Sequence, residues 1–197
     1  MKEIKEQKIN DILKNSLKVL ASKGYENATI ADISKASNVS RGILHYYFSD
    51  KEDLVSRALA FNSINIVKSA LRGVQGKTAE EMADNIVKAA KESIEQNPDF
   101  MAFLFEMWCA GRRSEKIKRE LINCSDKISK AIKDSLDIAI QNKVLEINQE
   151  QTAQISKSLL ALIDGIAFEM LISPTQDKQY NGFWVPVKTM VLAILKP

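Results

Sequence analysis

An all-α fold is what this chain predicts, on three observations. The helix formers Lys, Glu, Ala, Leu and Ile are abundant, while only seven glycines and four prolines interrupt 197 residues. Apolar residues recur at three- and four-residue spacing along most of the chain. Ser, Thr and Asp stand where such periodic runs begin, as helix N-caps do.

The elements follow in order. Ile9, Ile12, Leu13, Ser16, Leu17 and Leu20 form the buried stripe of a first helix, and Gly24 ends it as a C-terminal cap. Thr29-Ile-Ala-Asp32 is a capping box that opens a short helix, with Ile30, Ile33 and Ala36 on its buried side. Ser37-Asn38-Val39 reads as a turn, with Val39 as an apolar plug, and Ser40 as the N-cap of a two-turn helix from Arg41 to Tyr47. Ser49-Asp-Lys-Glu52 reads as a further capping box, starting a long helix to about Leu71. Gly73 to Lys77 is a linker, and Thr78-Ala-Glu-Glu81 caps the helix that runs toward Asn97. Pro98 breaks the chain and begins the helix Asp99 to Arg112. Ser114 caps a long helix to about Asn142, and Val144 to Asn148 connects it to another over Gln149 to Ile172. Pro174 to Asn181 is polar and loop-like, and a last helix covers Gly182 to Leu195, about nine in all.

Composition excludes several classes. At 45% hydrophobic and 27% charged, the chain can bury a core; a net charge of +3 neither requires nor forbids a nucleic-acid partner. Cys109 and Cys124 have no metal-type spacing, and no metal or cofactor is expected. The N-terminus MKEIKEQKIN lacks an apolar signal region, and no apolar run reaches the roughly 18 residues of a membrane span, so the expected setting is cytoplasmic and the expected partners exclude a membrane. Catalysis is not expected, because the single histidine, His45, stands apart from any partnered nucleophile and no phosphate-cradling glycine loop is present.

Residues 40 to 54, SRGILHYYFSDKEDL, carry the chemistry. Two short helices meeting through a three-residue turn form the helix-turn-helix pattern. A helix that enters the major groove needs donors on its outer face. Arg41 can fork onto guanine or grip a phosphate, and Gly42 lets the backbone come close. His45 and Tyr46 can reach base edges or thymine methyls. Tyr47, Lys51, Ser40 and Thr29 suit phosphate oxygens, as do the backbone amides opening the fourth helix. Ile43, Leu44 and Phe48 pin the helix to its core.

Residues from about Ile9 to Leu59 resemble the DNA-binding domain of the TetR family of bacterial regulators. The likeness is carried by Gly24-Tyr25, Ala28-Thr-Ile-Ala-Asp-Ile33, Val39-Ser40, Gly42-Ile-Leu-His-Tyr-Tyr-Phe48 and Lys51-Glu-Asp-Leu54. The family's aromatic and histidine appear swapped at His45 and Tyr47, which leaves base preference open. The resemblance implies a helix-turn-helix DNA-binding domain at 1–50 and a ligand-binding and dimerisation domain at 51–197. The second half is similar to the choline-responsive branch in Phe103-Leu-Phe-Glu-Met-Trp108, Gly111-Arg-Arg113 and Leu159-Leu-Ala-Leu-Ile-Asp-Gly165.

The helix Phe100 to Cys109 is apolar almost all round, as a central core helix or as a cavity lining. Candidate effector contacts are Phe100, Phe103, Leu104, Met107, Trp108, Asp164 and Phe168. Of the acids Glu106, Asp164 and Glu169 within apolar helices, one facing a cavity would favour a cationic ligand. Ile155, Leu159, Leu162, Ile166 and Met170, with Trp184, Val187 and Val191, form faces expected to pair with a second copy. The expectation is a homodimer that binds a pseudo-palindromic operator duplex, represses, and is released by an unknown small-molecule effector. An activator, or an all-helical protein-binding adaptor, are the alternatives.

Overall fold

The computed structural model describes residues 2–172 and 178–196, with side chains from 5 to 172 and 182 to 196. Among these, the chain forms α1 (Lys2–Lys23), α2 (Ile30–Ala36), α3 (Arg41–Tyr47), α4 (Lys51–Gly73), α5 (Ala79–Gln96), α6 (Pro98–Gly111), α7 (Glu115–Gln141), α8 (Thr152–Ile172) and α9 (Lys178–Leu195), with a 3-10 turn at Gln149–Gln151. No strand occurs among the described residues, and no helix there is long and apolar enough to cross a membrane.

Most boundaries lie where local chemistry puts them. Gly24 has φ +75°, the left-handed conformation that glycine adopts at low cost, and its N–H donates to the Leu20 carbonyl at 3.0 Å. Thr78 and Ser114 cap α5 and α7 by accepting the Glu81 and Ile117 amides at 3.2 Å each. Two expectations shift. The cap of α4 is Asp50 rather than Ser49: its carboxylate accepts the Asp53 N–H at 2.6 Å, and Asp53 in turn accepts the Ser49 N–H at 3.1 Å. A charged oxygen is the stronger acceptor, so the box moves one residue along. The last helix starts at Lys178 instead of Gly182, and carries Pro186 inside it. Of the loop expected at 174–181, residues 174–177 lie outside the described residues.

The chain divides into two compact units that alternate along the sequence: 1–64 with 98–124, and 65–97 with 125–197. The division expected after residue 50 follows neither. Leu54, Val55, Ala58 and Leu59 of α4 are as buried as Leu44 and Phe48 of α3, so the opening of α4 shares their unit. In that first unit α1 packs on α6 and α2, and the predicted stripe of Ile12, Leu13, Ser16, Leu17 and Leu20 is buried. On α2 Ile33 is buried and Ile30 half-buried, but Ala36 is exposed, because the helix ends there and its last turn faces outward.

In the second unit α5 packs on α9. Met82, Ala83, Ile86 and Ala90 on one helix, and Trp184, Val187, Val191 and Leu195 on the other, are buried. Ion pairs Lys188–Asp84 and Lys196–Glu80, each 2.5 Å, join the same two helices. This corrects the expected dimer face. Trp184, Val187 and Val191 lie inside the protomer, because α5 already covers that side of α9. Leu159 and Ile166 of α8 are likewise buried, and Ile155, Leu162 and Met170 are half-buried. The apolar residues left outside form different stripes. On α8 one stripe runs through Ala161, Gly165, Phe168 and Ile172, at steps of four, three and four, with Leu171 exposed beside it; on α9 Val185, Met190 and Ala193 are exposed.

Candidate nucleic-acid interface

The local chain first builds a frame. Thr29 accepts the Asp32 N–H at 3.1 Å, while the Asp32 carboxylate accepts the Thr29 N–H at 3.0 Å and hydroxyl at 2.7 Å. Lys23 closes on the same carboxylate at 2.6 Å, and these bonds hold its pKa well below the usual carboxylate range, the lysine contributing most. Asn38 adopts φ +50° in the turn after α2. The Ser34 hydroxyl donates to the Val39 carbonyl at 2.5 Å, and the Val39 N–H returns to Ser34 at 3.1 Å. Ser40 then caps α3 through the Ile43 amide at 3.3 Å.

On this frame α3 has two faces. Leu44, and Phe48 just beyond the helix, are buried, Ile43 is half-buried, and the plug Val39 is half-buried rather than sealed. Arg41, Gly42, His45 and Tyr46 are exposed, Tyr46 by 73%. Tyr47 is half-buried and meets Tyr46 edge to face, centroids 5.0 Å apart. Sequence reasoning missed Arg57, which donates to the Tyr47 carbonyl at 2.8 Å and lies 4.5 Å over the Phe48 ring. It thereby holds the C-terminal end of α3 from α4.

A β-carbon added at Gly42 would meet only the Ser40 hydroxyl, at 3.8 Å. Nothing within the protein demands a glycine there. An interior glycine costs a helix up to about 1 kcal/mol relative to alanine. The opening is left toward whatever faces α3 from outside.

Three of the expected phosphate contacts are committed elsewhere. Lys51 turns inward: its ammonium donates to the Tyr25 carbonyl and lies 4.4 Å over the Tyr25 ring, and burial lowers its pKa. The Thr29 hydroxyl spends its proton on Asp32. At the start of α4 the Asp53 amide is taken by Asp50, a carboxylate standing where a phosphate was expected, with Lys116 3.4 Å away.

The effector candidates fall in both units. Phe100, Phe103 and Met107 are buried in the first, whose α6 packs on α1, which is the core reading; Leu104 is half-buried. Trp108 is 40% exposed and stands edge to face with Phe105, centroids 5.0 Å apart. Glu106 is a hydrogen-bonded structural acid, accepting the Tyr25 N–H at 2.8 Å. In the second unit Phe168 and Glu169 are exposed, and burial pushes the Asp164 carboxyl up to about 6.

Residues 12–58, from α1 into α4, match the family model described as bacterial regulatory proteins, tetR family. Over these residues the chain carries the DNA-binding domain of the TetR family. Like its relatives, this TetR-family chain is a DNA-binding transcriptional regulator. It is similar to the regulator BetI of Agrobacterium fabrum, 24% identical over 77% of this chain and 70% of that one, a weak likeness to the choline branch. Its fold is similar to that of Salmonella enterica GusR, with TM-score 0.81, 18% identity, and 97% and 96% of the two chains covered. It is also similar to Bacillus subtilis FadR in complex with stearoyl-CoA, with TM-score 0.72, 15% identity, and 94% and 96% covered.

Proposed function

We propose that this TetR-family regulator is a ligand-released repressor that reads a pseudo-palindromic operator as a homodimer. The observation that carries the reading is the division of α3. Leu44 and Phe48 anchor it, while Arg41, Gly42, His45 and Tyr46 stand clear. Arg41 takes a guanine edge or a phosphate, and His45 and Tyr46 reach base edges and thymine methyls. Tyr47 and Ser40 contribute at the margin. The adaptor alternative gives way, since the relatives are named as transcriptional regulators.

Dimerisation is assigned to the outward stripes, Ala161, Gly165, Phe168 and Ile172 on α8 with Val185, Met190 and Ala193 on α9. A pseudo-palindromic operator requires two α3 helices one turn of duplex apart, roughly 34–36 Å or a multiple, and a homodimer supplies the two copies. The effector acts in the C-terminal region, and Asp164 is its polar contact. This half-buried carboxylate has no ion pair among the described residues and gains most from a cationic ligand. A near-complete switch requires the ligand to favour the released state by about 5 kcal/mol.

The test joins two measurements. Selection from random duplexes should enrich inverted repeats, bound by a particle of twice the chain mass. Enrichment of a single half-site by a monomer would overturn the dimer reading. No mobility shift at low salt would overturn the α3 reading.

A further inference from the structure

The N-terminal turns of α1 look unremarkable in sequence: alternating lysines and glutamates on a solvated face. In the fold, one of these lysines leaves that background. The Lys5 ammonium lies 5.3 Å from the centroid of the Tyr46 ring and 5.6 Å from that of Tyr47. It therefore stands beside the outward face of α3, next to its most exposed aromatic residue. No carboxylate pairs with Lys5 among the described residues. An ammonium over an exposed ring gains only about 0.5–1 kcal/mol. That is enough to bias the side chain toward α3, and too little to hold it against a phosphate oxygen.

We propose that Lys5 is a DNA-backbone contact, a cation supplied by α1 at the edge of the α3 reading surface. The assignment rests on α3 being that surface. Two expected contributors to the positive margin, Lys51 and the Asp53 amide of α4, already have partners within the protein, and Lys5 supplies charge that they do not. Its contact carries no sequence information, since phosphate contacts position a protein and base contacts specify. The two tyrosine rings orient the ammonium, so the contact is built from α1 and α3 together.

The salt dependence of binding to a random-sequence duplex tests this in the full-length protein. Each phosphate neutralised contributes about 0.9 to the slope of log K against log salt. Lys5→Gln should reduce that slope by about 0.9 per bound protomer, and Lys5→Arg should restore it. Lys14→Gln removes the same charge from the same helix. It lies nine residues on, half a turn round at 3.6 residues per turn, and should leave the slope unchanged. A slope in Lys5→Gln equal to that of the unaltered protein would overturn the proposal, as would an equal reduction in Lys14→Gln, which would make the effect one of net charge. Absence of binding by the unaltered protein would instead sink the α3 reading beneath it, a distinct result.

Discussion

Gly42→Ala should make the protein more stable and a poorer DNA binder. The added methyl meets only the Ser40 hydroxyl, 3.8 Å away, an ordinary contact. Gly42 lies inside α3 and outside the left-handed region, so alanine fits its backbone without strain. The substitution then narrows the unfolded ensemble and stabilises by about 0.4–1 kcal/mol. For a chain of this size that is a rise in Tm of about 1–4 °C. Against a duplex the same methyl occupies the gap through which the backbone approaches. A methyl forced into a close-packed contact costs about 1–3 kcal/mol, or about 5- to 160-fold in affinity. Thermal denaturation and anisotropy titration with a labelled duplex read the two effects separately. A variant that gained stability and bound DNA unchanged would show that the glycine is not kept for the duplex. A variant that lost stability would show that the fold requires it.

Asp164→Asn should reshape the pH dependence of stability. Burial raises the folded pKa from 3.8 to about 6, so between those values the native state holds more protons than the unfolded chain. Stability from this group falls as pH rises through that window and is flat above it. The variant should therefore gain on the parent by about 2–3 kcal/mol between pH 4 and pH 7, and parallel curves in denaturant titrations would refute it. Lys51→Ala should cost about 1 kcal/mol through the lost Tyr25 contact, yet leave the salt slope of DNA binding unchanged; a shallower slope would return Lys51 to the phosphate contacts. Gly165→Arg should leave helicity intact and dissociate the dimer in sedimentation, since a β-carbon there meets nothing within 4 Å of its own chain. Leu159→Ala, in contrast, should unfold the protomer more easily, by about 2–5 kcal/mol, with little change in self-association.

What could be read beforehand was local. The Thr29–Asp32 box, the Gly24 stop, the Ser40 cap and the Leu44–Phe48 anchors are each decided within a few residues, and the structure has them in place. What escaped depends on residues distant in the chain. A lysine after a capping turn reads the same whether it faces a phosphate or folds back on Tyr25. Lys5 has no local signal that would set it beside Tyr46. The helices α8 and α9 are apolar on broad faces, and periodicity cannot say which stripe another helix of the same chain will cover. With α5 on α9, the residues chosen for a partner were already inside. The bounds of the compact units escaped for the same reason, because the opening of α4 and all of α6 belong with α1 to α3.

The two tryptophans, Trp108 in the first unit and Trp184 in the second, make the chain self-reporting. One indole is partly wet beside Phe105, and the other is sealed against water, its ring nitrogen without a hydrogen-bond partner among the described residues. Their emission should differ in colour and in access to a quencher. Replacing either by phenylalanine leaves a single indole in a known half of the molecule. Loss of order in the first unit and in the second then becomes two separate optical signals, with no dye attached.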